Sequence, residues 1–492
     1  MSSKFSFSPE LQKFLSGRSI LLQEIPFPEK IIQDHLQLGF VKETPGITTQ
    51  NHTYTCHRCA NKKKRLFAKF PCAHCQKECY YCRNCIMMGR VSTCTPLYSW
   101  IGPAVDWKDL LLTSETSVNI KFALGKNSPN KKPQFPSEKT TYLSWNGTLS
   151  QGQKEASDAV VKAVRSNLQF LCWAVCGAGK TEVLFAGIDE ALKLKQRVCV
   201  ATPRTDVVLE LAPRFQKVFP HIPVAALYGG SEDRHLFTPL TVSTTHQLYR
   251  FEQAFDAMIV DEVDAFPFSY DQGLQAAVEK AAKPQSARIF LTATPSEKWQ
   301  LECKYGKRDH IKIPARYHRF ALPVPVFKWC GHWQKSLGKG KIPPIVKIWV
   351  QLRLEQEKQA LVFLPDIHLM EKALPVFRQL DSRIESVHAE DPDRKQKVER
   401  MRKRETPLLL TTTILERGVT FPNIDVAVLG AEDDIFTESA LVQISGRVGR
   451  SADFPKGNIT FFHYGRTKAM IRALIHIDQM NQEARKKGLI DG

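Results

Sequence analysis

Along most of the chain, short apolar runs the length of buried strands alternate with stretches whose apolar positions recur at helical spacing. The first clear pair is Phe170-Leu171-Cys172-Trp173-Ala174-Val175, then a glycine-rich turn, then a helical stretch over 182–194. Further strand-like runs fall at 197–201, 224–227, 240–243, 257–260 and 287–291, with a helical stretch at 206–218. Strands separated by helices imply a parallel sheet with crossover connections. A proline-rich crossing at 314–344 leads to a second series, with strands at 359–364, 386–388, 408–413 and 426–429. The pattern predicts an α/β chain with two parallel sheets. Ahead of them, short helices are expected at 8–15 and 28–38, a linker at 126–139 and a helix at 156–164; an amphipathic helix is expected at 467–481.

The ends of these strands carry the candidate chemistry, because ligands of parallel sheets bind at the carboxyl ends of the strands. Ala174-Val175-Cys176-Gly177-Ala178-Gly179-Lys180-Thr181 has the form of a phosphate-binding loop, with Ala174 where the usual pattern has glycine. Gly177, Ala178 and Gly179 let the backbone N–H groups curl toward phosphate oxygens; Lys180 can reach the outer phosphates and Thr181 can hold Mg2+. Gln153, 27 residues before Lys180, can present its amide to the donor and acceptor edge of adenine. A second strand ends in Asp261-Glu262-Val263-Asp264 and a third in Thr292-Ala293-Thr294. Paired acids at a buried strand end need a cation, so Asp261 is assigned to Mg2+ and Glu262 to the attacking water. In Gln443-Ile444-Ser445-Gly446-Arg447-Val448-Gly449-Arg450, Arg447 and Arg450 can reach across a cleft to the γ-phosphate of ATP.

Charge and cysteines add a partner and a metal. Lys+Arg of 69 against Asp+Glu of 50 gives a net charge of +19, which favours polyanions. The excess is concentrated at 51–100, where nine basic residues face one acid, Glu78. Eight of the 13 cysteines lie between Cys56 and Cys94. With no apolar signal segment at the start and no long apolar run, the expected setting is cytoplasmic, and the crowded thiols imply metal rather than disulfides. The knuckles Cys56-His57-Arg58-Cys59 and Cys82-Arg83-Asn84-Cys85 are the favoured Zn2+ ligands, since Cys85 leads into apolar Ile86-Met87-Met88 as though a strand resumed there. Cys72 with Cys75 is the rival pair. Cys72, Cys75 and Cys79 are otherwise expected to be spare thiols, with a second ion the lesser alternative.

Taken in order, Gln153, the Lys180-Thr181 loop, Asp261 to Asp264, Thr292 to Thr294, Glu416-Arg417-Gly418-Val419 and Gln443 to Arg450 resemble the motifs of superfamily 2 helicases. The cysteine ribbon, Trp145-Asn146-Gly147-Thr148-Leu149-Ser150 and Asp261-Glu262-Val263-Asp264-Ala265-Phe266-Pro267 extend the resemblance to the ComFA family, late competence proteins of naturally transformable bacteria. It implies two RecA-like parallel-sheet lobes preceded by a small cysteine-rich zinc-binding module. The segments expected are an N-terminal region at 1–55, the cysteine module at 56–95, a connector at 96–144, lobe 1 at 145–310, a crossing at 311–345, lobe 2 at 346–465 and a C-terminal helix at 466–492.

The resemblance further implies an ATPase that uses ATP, Mg2+ and Zn2+ and translocates single-stranded DNA during DNA uptake. Cys56, Cys59, Cys82 and Cys85 fit the family's zinc ligands, and Arg204, Thr244, His246, Arg250 and Arg417 fall in segments that touch the DNA backbone in related motors. Its expected partners are a ComFC-like protein, a DprA-like DNA-loading protein and the membrane DNA-uptake channel, with homo-oligomer formation left open. Its expected place is the inner face of the cell membrane, held peripherally. The competing readings are a duplex-opening helicase like PriA, and a zinc-dependent DNA-binding scaffold with a vestigial motor.

Overall fold

The computed structural model describes residues 6–51, 53–105, 141–417 and 419–491. The linker expected at 126–139 and Gly418 lie outside the described residues. Two all-parallel sheets form the body. The first has seven strands in the spatial order Val224–Leu227, Leu240–Thr244, Val198–Thr202, Phe255–Val260, Ala282–Thr292, Gln169–Ala174 and His310–Ile313. The second has six: Val326–Trp329, Ile459–His463, Ile424–Leu429, Gln359–Phe363, Leu408–Thr411 and Glu385–Val387. The central strands are buried along their whole length, as expected for sheets covered by helices on both faces.

The chain crosses from one sheet to the other between Ile313 and Val326, and it returns at the end. The helix Lys468–Lys486 follows the last strand of the second sheet but reaches back to the first. Glu483 pairs with Lys312 at 3.2 Å, Asn481 exchanges two hydrogen bonds with the backbone of Leu322, and the His476 ring meets Trp173 edge-on. His476 also lies 3.1 Å from Glu438 on the second sheet's helix Glu438–Ser445, so one helix ties both lobes together.

The N-terminal part is a separate three-stranded antiparallel sheet, Ile20–Leu21, Pro96–Trp100 and Val41–Pro45, packed on the helices Pro9–Leu15 and Glu29–Gln37. It brackets the cysteine segment and docks on the first lobe through backbone as well as charge. Ser19 N–H donates to Arg250 O at 2.8 Å and Glu252 N–H to Gly17 O at 3.0 Å, while Arg250 pairs with Glu24 at 2.7 Å. Gly17 has φ +70 and a Cβ there would lie 2.7 Å from Ala254 Cβ, so this contact requires glycine on both counts.

A comparable constraint holds the second lobe. Gly430, just past Ile424–Leu429, has φ +80, and a Cβ there would lie 2.2 Å from the Trp333 ring. Trp333 is almost wholly buried, with its indole N–H on Glu432 at 2.8 Å. Gly430→Ala is expected to cost about 1–3 kcal/mol through overpacking and backbone strain. A lowered midpoint in urea denaturation checks this; an unchanged midpoint would mean that the tryptophan is not seated there.

Candidate functional site

The phosphate loop is built from a buried strand, a curled turn and a helix. Gln169–Ala174 delivers the chain to Gly177 (φ +82) and Gly179 (φ +71), and Lys180–Lys193 continues as a helix whose N-cap, Gly179, has no side chain to spend on the first N–H groups. Those donors and the helix dipole face the same point, the arrangement an anion requires. Gln153 lies behind the loop. Its side-chain N–H donates to Ala178 O at 2.9 Å and its carbonyl accepts from Ser150 N–H at 2.8 Å, closing a capping box on the helix Gln151–Arg165. Both ends of the amide are thus engaged, the N–H on the loop and the carbonyl at the start of its own helix.

Next to the loop, Asp261 and Glu262 follow the strand Phe255–Val260. Burial, then the neighbouring Glu262 charge, push the Asp261 carboxyl up to about 6, while Lys180 acts in the opposite direction. Glu262 has the left-handed φ of +55, and its buried Oε2 has no hydrogen-bond partner among the described residues. A desolvated carboxyl beside an orphaned carboxylate oxygen fits a divalent cation with its water shell.

Asp264, in the sequence one member of the Asp261 to Asp264 motif, gathers donors from both lobes. Its two oxygens accept from Thr292 Oγ1 at 2.7 Å and Thr294 Oγ1 at 2.6 Å in the first lobe. From the second lobe they accept from Ser439 Oγ at 2.7 Å, from Gln443 at 3.5 Å and from the Arg417 guanidinium. Despite burial, Arg417 and these donors hold the carboxyl well below the ordinary range. Thr292 and Thr294 therefore share one acceptor with the other lobe. The signal for this was in the sequence only as separate motifs.

The loop itself touches the second lobe. Cys176 Sγ donates to Gln443 Oε1 at 2.9 Å, and a Cβ on Gly446 would lie 2.6 Å from Cys176 Cβ. Arg316, just after His310–Ile313, lies against Gly177 and donates to the carbonyls of Val448 and Gly446 at 2.8 and 3.2 Å, and to that of Gly449. Arg447 donates to the carbonyls of Glu416 and Val419 and keeps a buried Nη2 without a hydrogen-bond partner; Arg450 donates to Gly446 O at 3.0 Å. Burial lowers the pKa of both arginines, and the Glu262 and Cys176 side chains partly offset that. Both guanidiniums thus belong to the same cleft as the loop and the carboxylates, where an anion would relieve their desolvation.

Four of the five residues expected on the nucleic-acid track are engaged elsewhere in this structure. Arg417, 3% exposed, is bound to Asp264, Glu416 and Glu262. Arg250 braces the N-terminal module, Arg204 pairs with Asp206 at 2.7 Å, and Thr244 is buried at the end of its strand. The reason is common to the arginines: a partly buried guanidinium takes the nearest carboxylate. His246 alone is exposed.

In the cysteine segment the sulfurs of Cys56, Cys59, Cys82 and Cys85 all lie within 4.8 Å of one another and are buried. Arg58 closes this group from outside, directing Nε toward Cys85 Sγ at 3.4 Å and its other donors to the carbonyls of Cys85, Met88 and Gly89. The donor set fits a tetrahedral zinc ion, and the guanidinium offsets the negative charge of four thiolates. Two expectations change. No strand resumes after Cys85: Ile86–Met88 is a short 3-10 turn with Met87 93% exposed. Cys72, Cys75 and Cys79 are not scattered spare thiols, since with Cys94 they form a second group of four sulfurs within 4.8 Å. Cys94 belongs to no Cys-x-x-Cys pair, so spacing alone could not find it.

Three family models match the chain: the competence protein ComFA N-terminal domain over residues 3–99, the type III restriction enzyme res subunit over 146–297, and the helicase conserved C-terminal domain over 341–452. Competence protein ComFA of Bacillus subtilis (strain 168) is 44% identical over 481 residues, 98% of this chain and 97% of that protein. The chain belongs to the ComFA family. Competence protein ComFA of Streptococcus pneumoniae is 36% identical over 407 residues, 82% of this chain and 86% of its own. Among solved structures, S. cerevisiae Dbp5 bound to RNA and ADP BeF3 is 13% identical with a TM-score of 0.46, over 70% of this chain and 98% of that one. Membership and the two helicase-type domains make this ComFA-family chain a competence-related ATPase of the superfamily 2 helicase kind that binds DNA and uses nucleotide with Mg2+.

Ser439→Ala removes one hydrogen bond to a buried carboxylate, about 1.5 kcal/mol or roughly tenfold in the balance between closed and open lobes. Maximal ATP turnover should fall by a comparable factor with the unfolding midpoint unchanged. Unaltered turnover would separate this contact from lobe closure.

Proposed function

We propose that the chain is an ATP-driven translocase for single-stranded DNA that draws transforming DNA into the cytoplasm during natural competence. The observation that carries this reading is the shared Asp264: a carboxylate beside the nucleotide loop that accepts donors from both lobes. Such a group makes lobe closure depend on the state of the nucleotide cleft, and repeated closing and opening of two lobes is what moves a motor along a strand.

In this proposal Lys180 and the N–H groups of Gly177, Ala178 and Gly179 bind phosphate, Thr181 and Asp261 hold Mg2+, and Glu262 orients and deprotonates the attacking water. Arg447 and Arg450 stabilise the charge that develops on the γ-phosphate once their backbone partners are exchanged for it. Gln153 meets adenine only if its amide leaves Ala178 O, and its first effect is on loop position. The DNA path runs past His246 and makes backbone contacts that are independent of sequence. The partners are a ComFC-like protein, a DprA-like loading protein and the membrane uptake channel. Among the described residues no helix is long and apolar enough to cross a membrane, which is compatible with peripheral attachment at the inner face.

Lys180→Ala and Glu262→Gln should each reduce ATP hydrolysis by at least 100-fold while leaving the folded state intact, because the main losses are phosphate or transition-state contacts and Arg417 keeps Asp264 and Glu416 when its 3.7 Å pair with Glu262 is removed. Wild-type-like hydrolysis by either would remove the site assignment. For the purified chain, single-stranded DNA should stimulate hydrolysis more than duplex DNA or RNA, without strand displacement. Displacement of a duplex would instead favour an unwinding helicase, and DNA binding without any hydrolysis would favour a scaffold.

A further inference from the structure

The second cysteine group repeats the backbone of the first. In the segment Cys56 to Asn61, Ala60 N–H donates to Cys56 O at 2.8 Å, Cys56 N–H to Asn61 O at 3.0 Å, and Ala60 has φ +56. In the segment Cys72 to Lys77, Gln76 N–H donates to Cys72 O at 2.9 Å, Cys72 N–H to Lys77 O at 3.0 Å, and Gln76 has φ +56. Neither alanine nor glutamine favours that left-handed conformation. Two unrelated hexapeptides share only the Cys-x-x-Cys spacing, and they adopt one turn that points both sulfurs to the same side.

The remaining two sulfurs reach the second group by different routes. The strand Glu78–Cys82 pairs with Phe67–Pro71, and along a strand residues three apart face opposite sides. Cys79 is therefore directed to one face and Cys82 to the other, so a single strand serves both groups. Cys94 arrives along the other edge of the same strand: Cys82 N–H donates to Val91 O at 3.0 Å and Thr93 N–H to Tyr80 O at 2.9 Å. The result brings Cys72 Sγ to 3.3 Å from Cys94 Sγ and Cys75 Sγ to 3.3 Å from Cys79 Sγ, with all four within 4.8 Å. Four thiolates on a zinc ion at about 2.3 Å are about 3.8 Å apart. Two disulfides would require bonded pairs at about 2.05 Å and would leave no reason for the pairs to converge.

We propose that Cys72, Cys75, Cys79 and Cys94 form a second, structural zinc site, so that the family module of this chain carries two tetrathiolate ions on opposite faces of one strand. The first lies against the motor, where Lys280 Nζ donates to His57 O at 3.0 Å. The second lies near the surface, with Cys75 and Cys94 partly exposed, and it clamps the end of the Phe67–Cys82 hairpin beside Lys69 and Lys77. Lys69 on that hairpin is paired with Glu78 at 2.9 Å. The outer ion fixes the basic hairpin, and the inner one fixes the module to the lobe.

The test is zinc content by mass spectrometry on the full-length chain purified without chelator. Two zinc ions per chain are expected, with one lost in Cys94→Ser and one lost in Cys85→Ser. Cobalt titration of the wild-type apoprotein gives a readout independent of variant folding: the thiolate-to-cobalt band should saturate at two equivalents. One zinc per wild-type chain, saturation at one cobalt, four oxidised thiols in the intact mass, or two zinc ions retained in Cys94→Ser would each overturn the proposal.

Discussion

A carboxylate buried between two domains is costly unless donors on both sides neutralise it, and Asp264 is such a group. Thr292 and Thr294 on one side and Arg417, Ser439 and Gln443 on the other converge on its two oxygens. Separating the lobes would remove three of these donors at once, break the Arg417–Glu262 pair as well, and leave Arg417 with Glu416 as its carboxylate partner. The cleft is therefore stable when closed and has a defined electrostatic cost when opened. Cys176 against Gln443 and Gly446, and Arg316 against the carbonyls of Gly446 to Gly449, bring the phosphate loop into the same interface. Arg447 donates to the Glu416 carbonyl and so lies next to Arg417, while Gln443 touches both Cys176 and Asp264, so the arginines, the loop and Asp264 share one set of contacts.

The cysteine module is attached to the opposite side of the first lobe by contacts of another kind. Backbone pairing at Gly17 and Ser19, the Arg250–Glu24 ion pair and Lys280 on the first knuckle fix it without passing through the cleft. The module can thus keep its position on the first lobe while the second lobe moves. A basic hairpin carried in this way stays in one register relative to the first sheet.

The two sheets were legible because their central strands are continuous apolar runs that end in Gly, Asp-Glu or Thr-x-Thr. One edge of each was not. His310–Ile313 has only its last residue fully buried and Val326–Trp329 is mostly exposed, so no apolar run marks these four-residue strands, whereas the opposite edges at 224–227 and 385–387 were legible. The Asp264 network was illegible for a different reason: its members are up to 179 positions apart, and each looks like a separate motif. The intramolecular partners of the basic residues were not legible either: Arg417 and Arg250 each pair with a carboxylate far away in sequence. Cys94 needed the Glu78–Cys82 strand in place before it could be seen beside Cys72.

If the second lobe reads occupancy of the nucleotide cleft through Asp264, that occupancy sets the distance between the lobes. The most direct measurement is the distance between labels on the two lobes, at exposed Lys298 and Arg383, in solution with and without a non-hydrolysable ATP analogue and single-stranded DNA. Analogue and DNA together should give one short distance in the wild-type chain, and Asp264→Asn should stay broadly distributed under the same conditions. If the variant closes as the wild type does, or if the wild-type distance ignores the nucleotide, Asp264 does not couple the lobes.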